Sequence, residues 1–96
     1  MYSIIETEVF ANWLGSLKSP ETRLRLVKRL RRAGLGNLGD VKPVGEGVFE
    51  MRESFGPGWR MYYIQQGHVL LIMLGGGDKS SQQRDIQRAI QLSKEL

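Results

Sequence analysis

The sequence predicts an α+β fold in which a strand, a helical hairpin, three strands and a closing helix follow in the order β-α-α-β-β-β-α. Three observations predict it. Two helical stretches, "EVFANWLGSLKS" and "PETRLRLVKRLRRAG", stand side by side near the start. Three β-type runs follow, separated only by "GPG" and "QQG", and connections that short join antiparallel strands. The last segment then returns to helical periodicity. A chain of 96 residues makes one domain, residues 1–96, with an adequate but small core.

Each element has its own reason. "YSIIET" (2–7) is a short β-rich run and reads as the first strand. Val9, Phe10, Trp13, Leu14 and Leu17 fall on one face of a first helix. Ser19-Pro20-Glu21 offers an N-cap and a first-turn proline to the second helix, which Gly34 ends. "GLGNLGDVKPVGEG" (34–47), carrying Asp40 and Lys42, reads as a glycine-punctuated connector. In "VFEMRESF" (48–55) Phe49, Met51 and Phe55 take one face, Glu50 and Arg52 the other. In "WRMYYIQ" (59–65) Trp59, Met61 and Tyr63 alternate with Arg60, Tyr62 and Ile64. "HVLLIML" (68–74) is apolar on both sides, as an interior strand is. "SSQQRDIQRAIQLSKEL" reads as the last helix, with Ser80 and Gln83 as a capping box and Ile86, Ala89 and Ile90 as its apolar stripe.

Composition removes several classes of chemistry. Cysteine is absent, so disulfides, thiolate catalysis and cysteine-ligated zinc are excluded, which suits a reducing compartment. His68 is the single histidine, too few for a multi-histidine metal site. No stretch approaches the roughly 20 apolar residues of a membrane span. The start "MYSIIETEVF" lacks the basic and long apolar parts of a signal peptide. The chain is expected to be soluble and cytoplasmic, with no membrane partner, metal or cofactor.

Charge points toward an anionic partner. Lys and Arg total 14 against 10 acidic residues, a net +4. On the second helix Arg25, Lys28, Arg29 and Arg32 share an arc nearly opposite Leu26, Val27, Leu30 and Ala33. Like charges on one face repel. The arc is either a solvated face or a binding surface for a polyanion or an acidic protein.

The stretch "LLIMLGGGDKSS" looks like a phosphate loop but matches neither common pattern. Asp78 stands where a Walker A loop needs its last glycine, and a dinucleotide fingerprint needs a parallel βαβ unit. Neither ATP nor NAD is expected. Lys79 just ahead of a helix is either a plain exposed lysine or part of an anion site with the free N–H groups. Arg52 and Arg60 are expected to be neighbours across a ladder, and they repel unless an anion lies between them or Glu50 pairs with one. With Tyr62 on their face and Lys79 reaching the same surface, a phosphodiester site with a stacking platform results.

The phrases "LGNLGDVKPVGEGVFEMRESFGPGWRMYYI" and "LLIMLGGGDKSSQQRDIQRA" and the order of elements resemble the RelE/ParE superfamily of toxins from bacterial type II toxin–antitoxin systems, in its HigB-like, phage-derived addiction module killer branch. The matching residues are Gly39, Asp40, Lys42, Gly47, Glu50 and Arg52; then Arg60, Tyr62 and Tyr63; then Gly77, Asp78, Lys79, Ser80, Gln82, Asp85 and Ile86. The resemblance implies a RelE-like domain, with the N-terminal helical hairpin packed on a twisted, mainly antiparallel sheet. It implies a metal-independent mRNA endoribonuclease acting on ribosome-bound message, in which the 2′-hydroxyl attacks the adjacent phosphate and leaves a 2′,3′-cyclic phosphate. Arg52, Arg60 and Lys79 are then the catalytic residues. Lys42, Tyr62, Arg25, Lys28, Arg29 and Arg32 are the RNA-binding ones.

The resemblance also implies a cognate antitoxin, often of helix-turn-helix type, that covers basic surface and brings operator DNA as an indirect partner. Many RelE relatives carry a catalytic tyrosine or histidine near the C-terminus, whereas this chain has neither after Lys79. His68 falls at an expected hairpin turn, which leaves Tyr62 or Tyr63 as substitutes. Two other readings stand beside the nuclease: a ParE-like inhibitor that contacts DNA gyrase, and a non-catalytic module that only engages its antitoxin.

Overall fold

The computed structural model describes residues 1–96. Its elements are β1 (Ser3–Glu6), α1 (Glu8–Ser16), α2 (Pro20–Gly34), β2 (Val41–Gly45), β3 (Val48–Arg52), β4 (Arg60–Gln66), β5 (Leu70–Gly77) and α3 (Gln82–Lys94), with a 3-10 turn at Lys79–Ser81. The fold is α+β. Five strands form one mixed sheet in the order β1-β5-β4-β3-β2. β1 runs parallel to β5, and the other three pairings are antiparallel. No helix is long and apolar enough to cross a membrane.

Local chemistry sets the helix starts. The Thr7 hydroxyl accepts from the Phe10 N–H and donates to the Met73 carbonyl at 2.7 Å, so one side chain caps α1 and ties it to β5. Ser19 caps α2 by accepting from the Thr22 N–H, with Pro20 in the first turn. The helical hairpin covers one face of the sheet, where Phe10, Leu14, Leu26, Leu30 and Ala33 pack on Met51, Met61, Tyr63, Leu71 and Met73. α3 covers the other face, where Ala89 and Ile90 meet Val48, Tyr62 and Leu74. β5 is buried on both faces, as its unbroken apolar run requires.

Three expectations are corrected. The connector at 34–47 contains an additional strand, β2, so the order is β-α-α-β-β-β-β-α. Gly39, Gly45 and Gly47 take φ of 69°, 117° and 83° and turn the chain at both ends of that strand. Pro43 is tolerated because β2 lies at the sheet edge. The glycine run is also not a loop, since β5 continues to Gly77. A Cβ on Gly76 would stand 2.4 Å from the Trp13 ring, and one on Gly77 would stand 1.9 Å from the Asp85 carboxylate. These two glycines admit close neighbours to the strand. Finally, the Ser80–Gln83 capping box does not form. Asp78 caps the 3-10 turn, accepting from the Ser80 N–H at 2.8 Å and from its hydroxyl. Those bonds from Ser80 hold the Asp78 carboxyl below its ordinary range.

Candidate functional site

Strand register assembles the cationic residues at one end of the sheet. Arg52 on β3 lies directly opposite Arg60 on β4, and Arg60 lies opposite Gly77 on β5. One row further along, Lys42 lies opposite Glu50, and Glu50 opposite Tyr62. Opposed residues share a face, and residues two apart on a strand share it again. Lys42, Arg52 and Arg60 therefore stand on the same side of the sheet, on three successive strands. Lys79 reaches this end from the 3-10 turn, where its N–H donates to the Pro57 carbonyl. Arg60 and Lys79 line one cleft of about 380 Å³ with Glu53, Ser54 and the Gly56-Pro57-Gly58 turn, and Pro57 is its one apolar side chain. Arg52 lies outside that cleft, one strand over.

The two arginines have different partners. Arg52 pairs with Asp40 at 3.2 Å, with both side chains substantially exposed, a contact worth about 0–1 kcal/mol. An incoming anion can compete with it. Arg60 is mostly buried and committed. Its Nε lies 3.7 Å from Glu50 Oε1, and Nη1 donates to the Glu53 and Trp59 carbonyls at 3.3 and 3.1 Å. Glu50 is fully buried and also accepts from the Tyr62 hydroxyl at 3.1 Å and from Gln82 Nε2 at 2.8 Å. The expected repulsion between the arginines is thus relieved from within, by one carboxylate each.

This network removes Tyr62 from the RNA-binding set. Its ring is fully buried under α3, so it offers no stacking surface. Burial first, and then the Glu50 carboxylate, push the hydroxyl far above the ordinary tyrosine range. Tyr63 is buried on the opposite face, stacked on Phe49, and burial raises its hydroxyl too. Neither ring is placed to exchange protons with a bound ligand. His68 is exposed in the β4–β5 turn, at the far end of both strands from Arg60. The 3-10 turn offers no free N–H to an anion: the N–H groups of Lys79, Ser80 and Ser81 are bonded to the Pro57 carbonyl, the Asp78 carboxylate and the Asp78 carbonyl. Lys79 contributes its ammonium alone.

α2 corrects the helical arc. Arg25, Lys28 and Arg32 are exposed and, with Arg31, Leu35 and Glu53, line a cleft of about 500 Å³. The Arg25 guanidinium sits 3.8 Å over the Phe55 ring. Arg29 does not belong to this surface. It is 4% exposed, its Nη1 bonds the Arg52 carbonyl at 2.9 Å and pairs with Glu53, and its Nη2 donates to the Leu38 and Asp40 carbonyls, both at 2.9 Å. The buried arc is therefore Leu26, Arg29, Leu30 and Ala33, while Val27 turns toward solvent at 36%. Asp40, Glu53 and Gln82 complete the assembly without having been singled out for it by residue type. For Asp40 and Gln82 the signal was present in the runs around "GD" and "KSSQ"; Glu53 carried none. Gly39 is one such mark, since a Cβ there would press on the Arg29 guanidinium at 3.0 Å.

No protein-family model matches the chain. A protein of Haemophilus influenzae (strain ATCC 51907 / DSM 11121 / KW20 / Rd), described as an uncharacterized protein, is 43% identical over 90 residues, which cover 94% of this chain and 91% of that protein.

Proposed function

The chain belongs to one family with that Haemophilus influenzae protein, and we propose that it is the toxin of a type II toxin–antitoxin system, a RelE-like, metal-independent endoribonuclease that cuts ribosome-bound mRNA in the cytoplasm. One observation carries this reading: Arg52 faces Arg60 across the ladder, and Arg60 shares a mainly polar cleft with Lys79. Three cations from separate segments around one polar surface fit a phosphodiester group whose charge rises in the transition state. The 2′-oxygen forms a bond to phosphorus, the bond to the 5′-oxygen breaks, and a 2′,3′-cyclic phosphate and a 5′-hydroxyl result. Arg60, held by Glu50 and two carbonyls, orients the phosphate, and Arg52 leaves Asp40 to join it. Lys79 supplies the proton to the departing oxygen. Glu53, the acidic residue lining the cleft, takes the hydroxyl proton, its carboxylate held in place by Arg29. Lys42, Arg25, Lys28 and Arg32 hold the flanking strand. The cationic side of α2 is also the surface a cognate antitoxin would cover, and operator DNA would enter through that complex.

A second reading, an antitoxin-binding module without catalysis, is favoured by a separate observation. Arg52 and Arg60 each already face a carboxylate, and both candidate tyrosines are buried. Regulated expression in a bacterial host separates the readings. The nuclease arrests growth and translation, and primer extension finds discrete cuts in message. Arg52→Ala and Lys79→Ala, both exposed enough to spare the fold, abolish these effects. Growth arrest that survives both substitutions and stops replication points to gyrase instead, and no arrest at all leaves the binding module.

A further inference from the structure

A second cleft, sharing no lining residue with the Arg60–Lys79 cleft, lies on α3. It opens between α1, α3 and the glycine end of β5, has a volume of about 320 Å³, and is lined by Val9, Trp13, Gly75, Gly76, Asp85 and Arg88 among others. That is the lower range of small-ligand sites. Two features mark it as more than a gap between helices. Gly76 and Gly77 are glycines because Trp13 and Asp85 press on them, but a Cβ on Gly75 would meet nothing within 4 Å. Packing does not require a glycine there. Asp85 and Arg88, three residues apart on one helix, have the spacing at which opposite charges pair. Yet the ion pairs of the molecule are Arg29–Glu53, Arg52–Asp40, Arg60–Glu50 and Lys94–Glu46, and neither residue is in them. A carboxylate and a guanidinium thus share the mouth of a cleft without neutralising each other.

We propose that this cleft is a guanine-binding pocket, in which Asp85 accepts from the N1–H and N2–H of the base, Arg88 donates to O6 and N7, and the base lies over Gly75 beside the Trp13 indole. Guanine alone among the four bases offers two adjacent donors on one edge and two adjacent acceptors on the other. Adenine alternates donor and acceptor on both edges, so it leaves one of the two charged groups mismatched. The Ser81 hydroxyl donates to Asp85 Oδ2, which orients the carboxylate and leaves it further lone pairs. The site adjoins the candidate phosphate surface, because Gly77, against which Asp85 lies, is the register partner of Arg60. Where the nuclease reading holds, the pocket selects the base beside the broken linkage, and that extension rests on that reading.

The test needs no cleavage. The full chain, labelled with nitrogen-15, is titrated with 5′-GMP, 5′-AMP and 5′-CMP while amide and indole signals are followed. GMP is expected to shift Gly75, Gly76 and the Trp13 indole saturably, with AMP and CMP at least about tenfold weaker, the discrimination that one good bidentate contact supplies. In Gly75→Val the Cβ enters space with nothing within 4 Å, so the variant should keep the parent melting temperature and lose GMP binding. Arg88→Ala, an exposed substitution, should weaken GMP by roughly ten- to a hundredfold and bring it level with AMP. Equal binding of GMP and AMP, or undiminished GMP binding in Gly75→Val, overturns the proposal. So does a titration without shifts at the cleft. Because the readout is binding, a pocket that takes GMP in a protein that cuts no message would refute the nuclease and leave the pocket standing.

Discussion

Replacing Arg29 by leucine tests the reassignment of α2 most directly. The substitution keeps an apolar helix former in place but removes a guanidinium that serves Glu53 and three backbone carbonyls. Removing one partner of a buried ion pair costs about 3–5 kcal/mol, because the other charge is left behind. Here Glu53 retains 16% side-chain exposure, and the Leu38 and Asp40 carbonyls lie in a connector that can open to water, which sets the loss near the low end, about 3 kcal/mol. For a domain of this size that corresponds to a fall in melting temperature of about 12–24 °C. Urea unfolding followed by tryptophan fluorescence measures it, with Lys28→Ala and Arg32→Ala as exposed controls expected within about 0.5 kcal/mol of the parent. The double change Arg29→Leu with Glu53→Leu should recover part of the loss, since no charge is then orphaned. An Arg29→Leu protein as stable as Lys28→Ala would refute the reasoning and return Arg29 to the surface.

Other consequences follow from single contacts. Gly76→Ala should cost about 1–3 kcal/mol in the same unfolding assay, because its Cβ would meet the Trp13 ring, whereas Gly75→Ala should be neutral or better; equal effects would contradict the stated packing. Tyr62 and Tyr63 should resist ionisation in an ultraviolet titration until the fold is lost. Their folded-state values lie above the ordinary one, so the stability they contribute is complete below pH about 10 and is lost as pH rises beyond it. Tyrosine absorbance that rises fully at pH 10 in a still-folded protein would count against their burial. Tyr62→Phe should cost about 1–2 kcal/mol, since buried Glu50 loses a donor and keeps Gln82 as its remaining hydrogen-bond partner. Lys94→Ala breaks a pair with Glu46 in which both side chains are 57% exposed, and should change stability by less than about 0.5 kcal/mol.

What the sequence by itself determined was whatever rests on short-range periodicity. The helices of the hairpin, the Ser19-Pro20 start, the doubly buried β5 and the nearness of Arg52 to Arg60 on adjacent strands all follow from residue order and the fixed repeats of helix and strand. The tertiary structure alone decided which polar residues are inside. A helical wheel places Arg29 in water because it knows only that arginine is charged; the socket that holds it is made of carbonyls from Leu38, Asp40 and Arg52 and a carboxylate from Glu53, all distant in the chain. Tyr62 looked like a surface aromatic until α3 closed over it, and Gly75–Gly77 looked like a loop until Trp13 and Asp85 were seen lying on the strand. In each case the missing information was the identity of a non-local neighbour. A polar group enters a protein interior only where other segments bring the partners that replace water, and no local pattern records where those segments will lie.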